Sequence, residues 1–323
     1  NVLRHMGLHK DMGEIVFLVG HGSDTTNNAF SAALDCGACG GHAGDINARL
    51  LAQMLNEAEI RQSLAQKGLS IPVNTLFVPA IHETVTDSVH ILDEDLIPSD
   101  RRSEIRDLKK KMDFASGRAR KERSVSRSAV LDPHFNRRPR NWAEVRPEWG
   151  LSGNACFIVA PRSRTRFADL SGRAFLHDYD YTRDEGFATL ELIMTAPMVV
   201  TNWINLQYYC SSVAPTVYGA GSKVLHNLVN EVGVQEGNGG DLRVGLPFQS
   251  VHDGEKLVHE PLRLSVFIEA PQSALEEIIH KHETVRQLVD HGWLHLLQID
   301  GNRSVMRRMP GGKYEPAEAE GLA

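Results

Sequence analysis

Residues 14-EIVFLVGHGSDTTNNAFSAALDCGACGGHAG-44 run from an apolar strand straight into a glycine-rich loop that carries histidines and two cysteines. Ile15 to Val19 is a continuous β-prone apolar run ending at Gly20, the pattern of a strand buried on both faces. After the loop, Asp45 stands where a helix cap would. Ile46, Leu50, Leu51, Met54 and Leu55 then follow the three-four spacing of a helix that Gly68 should stop. Strand, loop and helix in that order is the α/β pattern in which ligands sit beyond the carboxyl ends of strands.

Working outward, 75-TLFVPAIHET-84 is the expected neighbouring strand, with Pro79 calling for a bulge or a strand edge, and 85-VTDSVHILDED-95 holds another short strand. From Arg101 to Arg127 there are eleven Lys/Arg against four Asp/Glu, while Ile105, Leu108, Met112, Ala115 and Ala119 keep a helical stripe: an amphipathic helix with a basic outer face. Residues 131–154 read as an irregular connection and 155-ACFIVA-160 as a buried strand. Residues 187–213 are helical on both sides of Pro197, which should kink or split them. A glycine-rich segment follows over 231–256, then a strand at 262–270, a helix at 272–292 and a strand at 293–300. With no internal repeat and no linker, the expectation is one α/β unit over 1–300, a basic helical insertion at about 98–130 and a frayed tail over 301–323.

The 323 residues are 41% apolar with a net charge of −6, which suits a globular chain and excludes disordered and fibrous classes. Four cysteines, two of them in Cys36-Gly37-Ala38-Cys39, make no disulfide framework and point to a reducing compartment. No signal sequence opens the chain, and the apolar run 192–200 is only nine residues, followed by Asn202, Asn205 and Gln207. A spanning helix needs roughly 20 apolar residues, so the chain is not expected to cross a membrane by itself. The basic helix does not indicate nucleic acid, because the chain as a whole is acidic and the stacking aromatics are missing.

A borderline metal such as zinc takes thiolate and imidazole ligands, and the loop supplies His21, Cys36, Cys39 and His42. The Cys-x-x-Cys is not matched by a second pair, so the structural zinc-finger pattern is absent. Three other readings stay open at this level. The run 35-DCGACGG-41 can also be read as a tight turn with packed cysteines, behind that as a dithiol that Gly37, Gly40 and Gly41 would hinder from opening a helix, and last as a phosphate cradle without its Gly-Lys-Ser/Thr. His82 and His90 on the following strands are further candidates, Cys156 and Cys210 read as core, and Gly237, Gly239, Gly240 and Gly245 with Asn238 and Asp241 read as a functional loop or as turns between strands.

The run GHGSDTTNNAFSAALDCGACGGHAGDINARLLAQMLN resembles the most distinctive motif of the DabA family, the large soluble subunit of an energy-coupled inorganic-carbon accumulation system. The resemblance continues in order through WINLQYYCSS, VYGAGSKVLHNLV, VQEGNGGDLRVGLPFQSVHDGE, HEPLRLSVFIEAP and HETVRQLVDHGWLHL. It implies a β-carbonic-anhydrase-like core, mainly parallel sheet flanked by helices with helical and irregular insertions. It also implies Zn2+ bound by two cysteines, a histidine and an aspartate. By position in the motif the ligands here are His21 and Cys36, with Cys39 the second choice.

The family's other two ligands lie in an upstream Cys-x-Asp-x-Arg that none of the four cysteines here shows. The resemblance therefore implies that this chain is the C-terminal part of a protein more than twice as long and carries half of a zinc site. The implied chemistry is hydration of CO2 to bicarbonate, with zinc lowering the pKa of water from ~15.7 to about 7. The implied partner is a membrane-embedded proton-conducting subunit of the DabB type, similar to the antiporter-like subunits of respiratory complex I. The chain would then sit peripherally at the cytoplasmic face of the inner membrane. A zinc-stabilised scaffold that docks on the same partner and does no chemistry is the competing reading.

Overall fold

A computed structural model describes residues 3, 6–8, 12–25, 34–36, 39, 41–126, 136–141, 150–229, 233–302 and 304–317. The fold is mixed α/β. In place of the single expected unit, the chain divides into two compact ones, Asn1–Ser152 with Ala214–Val258, and Gly153–Val213 with His259–Ala323. Each is built from segments distant in sequence, which is why no linker marks the division.

In the first unit, β1 (Ile15–Gly22) pairs in parallel with β2 (Leu76–Glu83), which pairs antiparallel with the short β3 (Val89–Ile91). The continuous apolar run of β1 is explained by cover on both faces. Leu18 and Phe77 pack with Ala52 and Leu55 of helix α1 (Asp45–Asn56), while Ile15, Phe17 and Val78 pack with Ile105 and Met112 of a helix from the other side. Between them comes α2 (Ala58–Gln66), and the covering helix is α3 (Arg102–Ser126), the expected basic element. Its buried stripe departs from expectation after Met112: Ser116 is buried and Ala115 exposed, the i, i+4 choice in place of i, i+3.

The helix expected to run to Gly68 breaks at Glu57, which is extended. The cause is tertiary. Asn56 donates from Nδ2 to the Phe77 carbonyl at 2.8 Å and accepts from the Phe77 N–H at 3.0 Å, closing the part of the β2 edge that β3 does not reach. Pro79, which lacks an N–H, faces that same edge, and its carbonyl accepts from Leu92. Strand β2 is nonetheless the middle strand of its sheet, left open only over the stretch around Phe77 that β3 does not pair.

The second unit is built on a six-stranded sheet of order β12-β11-β10-β9-β4-β5. Strands β4 (Cys156–Ala160), β5 (Ala174–Asp178), β9 (Ser265–Glu269) and β10 (His295–Ile299) are mutually parallel. Helices α4 (Ala188–Thr195) and α5 (Pro197–Val213) meet at the expected break before Pro197. The run Glu185–Val213 is long and apolar enough by length and composition to cross a bilayer, contrary to the nine-residue estimate. Its apolar residues Leu190, Ile193, Met194 and Met198 are core, packed with Val159, Val266, Ile268 and Leu296 of the sheet.

After the short α6 (Pro215–Tyr218), the glycine-rich segment of the first unit forms an antiparallel meander, β6 (His226–Val229), β7 (Gly233–Glu236) and β8 (Leu242–Arg243). Gly237 takes a positive φ of 56° in the turn between β7 and β8. The helix expected over 272–292 splits at His282 into α7 (Gln272–Lys281) and α8 (Glu283–Asp290), with Lys281 and His282 both drawn to Glu191 of α4.

Over its described residues the tail from Gly301 is not frayed: β11 (Val305–Arg308) and β12 (Tyr314–Pro316) extend the sheet, and residues 318–323 lie outside the described residues. Arg308, 3% exposed at its side chain, binds Glu276 at 2.7 Å and Asp290 at 2.6 Å, and Tyr314 donates to Glu276 at 2.8 Å. This network fastens the hairpin to α7 and α8. Arg308→Ala should cost about 3 kcal/mol at pH 7, the low end for a broken buried pair because both acids keep some water contact. Arg308 holds the Asp290 carboxyl below the usual carboxylate range, so its contribution is complete above about pH 4 and is lost as pH falls through the lowered folded-state value. Urea unfolding at pH 7 and pH 3 should show the wild-type advantage shrinking in acid.

Candidate metal centre

Strand β1 places His21 one residue before its end, in register with His82 of β2. The loop that follows returns to this same end. Thr84 Oγ1 donates to the carbonyls of Gly22 and Leu34, both at 3.1 Å, and Asp35 accepts from the Ser23 N–H at 2.6 Å and from the Ser23 hydroxyl at 3.4 Å. Leu34 and Cys36 are buried. Cys36 then forms an isolated antiparallel bridge with His42, and the Gly44 N–H donates to the His21 carbonyl at 2.8 Å. Both ends of the segment 34–44 are therefore tied to the end of β1.

Two glycines make this return possible. A Cβ on Gly20 would stand 2.6 Å from the Gly44 carbonyl carbon, and one on Gly44 would stand 3.1 Å from Gly20 Cα. The backbones touch where any side chain would separate them. The same contact corrects the expected cap: Gly44, not Asp45, is the N-cap of α1, with no side-chain cap bond, and Asp45 lies in the first helical turn, where its charge suits the helix dipole.

Burial pushes the His21 imidazole below its ordinary value, His82 pushes it the same way, and Asp35 opposes. The neutral ring, the form that binds a metal, is favoured. Asp35 is pushed up by burial against the Ser23 hydrogen bonds and the nearby His21 and His42. His21 thus feels His82 and Asp35, and Asp35 feels His21 and His42.

Of the four loop donors expected from the sequence, His21 and Cys36 are held inward, His42 is exposed, and Cys39 Sγ accepts from Asn47 Nδ2 at 3.5 Å. His82 lies beside His21 and also contacts Asp87 at 3.3 Å, whereas His90 is exposed. Cys156 and Cys210 are half-buried in the second unit, and burial raises both thiols. Asp35 and Thr84 were not singled out in the sequence; their roles come from contacts across 12 and 50 or more residues.

Among the described residues no three His, Cys, Asp or Glu side chains converge to hold a metal ion. His21 and Cys36 offer an imidazole and a thiol, donor types that zinc takes, on segments whose backbones are tied together at the end of β1.

The class is thus a mixed α/β protein in which a loop carrying a thiol returns to the carboxyl end of a parallel strand that carries an imidazole. The chain belongs to the family described as "Probable inorganic carbon transporter subunit DabA", whose model matches residues 1–294. It is 50% identical over 320 residues to a protein of Bradyrhizobium sp. (strain ORS 278) named "Probable inorganic carbon transporter subunit DabA 2", covering 98% of this chain and 38% of that one. Proteins named "Probable inorganic carbon transporter subunit DabA" from Acidithiobacillus ferrooxidans and Roseiflexus sp. (strain RS-1) are 51% and 50% identical, over 95% and 96% of this chain and 38% of each relative. No solved structure matches. The chain therefore spans well under half the length of these relatives.

Gly20→Ala should force the loop off the strand end, at a cost of roughly 1–3 kcal/mol for an overpacked contact between backbones that have no side chain to yield. Thermal unfolding checks the loss. A Gly13→Ala control, whose added Cβ meets nothing closer than 3.5 Å, should leave the midpoint nearly unchanged.

Proposed function

We propose that the chain is part of the soluble subunit of an inorganic carbon transporter and contributes His21 and Cys36 to a zinc site. The single observation that carries this reading is the fixing of both residues at one strand end by the Gly20–Gly44 contact and the Thr84 bridge. When bound, zinc would supply the Lewis acidity that makes water nucleophilic at neutral pH, as hydration of CO2 to bicarbonate requires.

The chain's own residues hold and shield. His21 presents a ring biased to the neutral form, and Cys36 presents a sulfur on a buried turn. Asp35, itself held by Ser23, helps set the charge around His21. Family membership supports the transporter role. A membrane-embedded proton-conducting partner of the DabB type, at the cytoplasmic face of the inner membrane, would supply the energy coupling, and carbonic-anhydrase-like activity is expected only of the full-length protein with that partner.

Metal analysis of the full-length protein tests the site. His21→Ala and Cys36→Ser should each reduce bound zinc to well below one per chain. Cys39→Ser should retain it, because in the proposed assignment the buried Cys36, not the more exposed Cys39, is the ligand. Stoichiometric zinc in both of the first two variants would sink the assignment. Growth of a carbonic-anhydrase-deficient host in ambient air tests the chemistry: the same two variants should fail to support it, and growth undiminished by zinc loss would favour the scaffold role.

A further inference from the structure

Helix α3 spends its apolar stripe on the first sheet, where Ile105 and Met112 pack with Val78 and Ile91. The opposite face is left outward. Phe114 stands about 200° around the helix from Met112 and is 70% exposed, an aromatic ring where a solvated face would carry a polar side chain. Around it, at the spacings of three, four and seven residues that make neighbours on a helix surface, come Lys111, Lys110, Arg118 and Lys121, every one exposed. Asp107 is the acid on this face and is held by Lys110 at 2.8 Å, while Asp113 on the flank is held by Lys109 at 2.9 Å. The helix carries nine Lys/Arg against four Asp/Glu in a chain whose net charge is −6, so basic charge is concentrated here.

We infer that the outer face of α3, centred on Phe114, adsorbs to an anionic lipid surface, with its cations on the headgroup phosphates and the ring entering the acyl boundary. This contact does not depend on the zinc reading, and it adds a direct hold on lipid to the peripheral placement proposed above. Three observations select a bilayer. The first is charge: a basic segment is drawn to an anionic leaflet, each Lys or Arg near the surface strengthening the hold roughly fivefold. The second is the weight of lysine, in three of the four cations around Phe114. Lysine stems lie along an apolar layer while the ammonium stays in water, whereas the cores of protein interfaces are depleted in Lys. The third is the single ring. Phe114 is the only aromatic residue in the sequence of α3, and single-stranded nucleic acid is held by successive rings stacked on successive bases.

The test uses the full-length protein without its partner, sedimented with phosphatidylcholine vesicles that contain or lack phosphatidylglycerol. The wild type should bind only the anionic vesicles. Raising salt from ~0.1 M to ~1 M, which shortens the Debye length from about 10 Å to about 3 Å, should release it. Lys111→Gln combined with Arg118→Gln should weaken binding roughly twenty-five-fold, at about fivefold per cation. Phe114→Ser should weaken it about tenfold, and Phe114→Trp should keep it. The three side chains changed are exposed, so thermal midpoints should stay at the wild-type value. Bound zinc should also stay unchanged, which separates a failure here from a failure of the metal assignment.

The inference is overturned if the wild type ignores anionic vesicles, if it binds neutral ones equally well, or if the variants bind as the wild type does. Two further results would assign the face to another occupant and overturn it as well. One is loss of partner capture in detergent by the same variants with vesicle binding intact, which would mean a protein interface. The other is tighter binding of single-stranded RNA than of anionic vesicles, abolished by the same substitutions, which would mean a nucleic-acid surface.

Discussion

The contact on which the candidate site depends is between two backbones. Gly20 and Gly44 meet without side chains, and this lets the Gly44 N–H reach the His21 carbonyl. One peptide hydrogen bond contributes only about 1 kcal/mol net. What it fixes is larger: the exit of the chain from β1, the start of α1 and the two ends of the loop between them. Thr84 adds a second tie from the neighbouring strand, bridging Gly22 and Leu34 with one buried hydroxyl. Side chains carried on segments anchored in this way stand on rigid backbone, so a ligand bound there would need to order little further chain.

The first sheet shows why the leading stretch was legible. The apolar run is covered on both faces, by α1 and α3, from Ile15 to Leu18, while Val19 at its end is 49% exposed. Long periodic elements with clear stops could be read likewise: β2, α3, β9 and the split at Pro197. What could not be read was decided by contacts distant in sequence. Strands β11 and β12 are short and polar, and an ion-pair network centred on Arg308 holds them in place. The breaks at Glu57 and His282 follow from Asn56 bonding to β2 and from His282 bonding to Glu191. No local propensity encodes any of these.

The division into two units was missed for a related reason. A break in the chain is visible in sequence only when a linker marks it, and here the chain passes between the units three times, at 152–153, 213–214 and 258–259, in place of a single linker. Each unit takes up the chain twice, so composition is averaged across the boundary. The glycine-rich segment, which suggested a functional loop, supplies the turns of a meander in the first unit.

The same limit applies to the site. Residue types and motif placed His21 and Cys36 among the candidates, but only tertiary contacts separate Cys36, buried and bridged to His42, from Cys39, whose sulfur is engaged by Asn47. Asp35 shows how a neighbour can be invisible in sequence yet shape the chemistry: Ser23 holds it, it opposes the burial that depresses His21, and it lies next to Cys36 in the chain. In the proposed reading a metal held by this pair and by ligands from another part of the polypeptide acts as a cross-link. Its binding free energy then contributes to holding the parts together, as in other proteins where metal and folding are coupled.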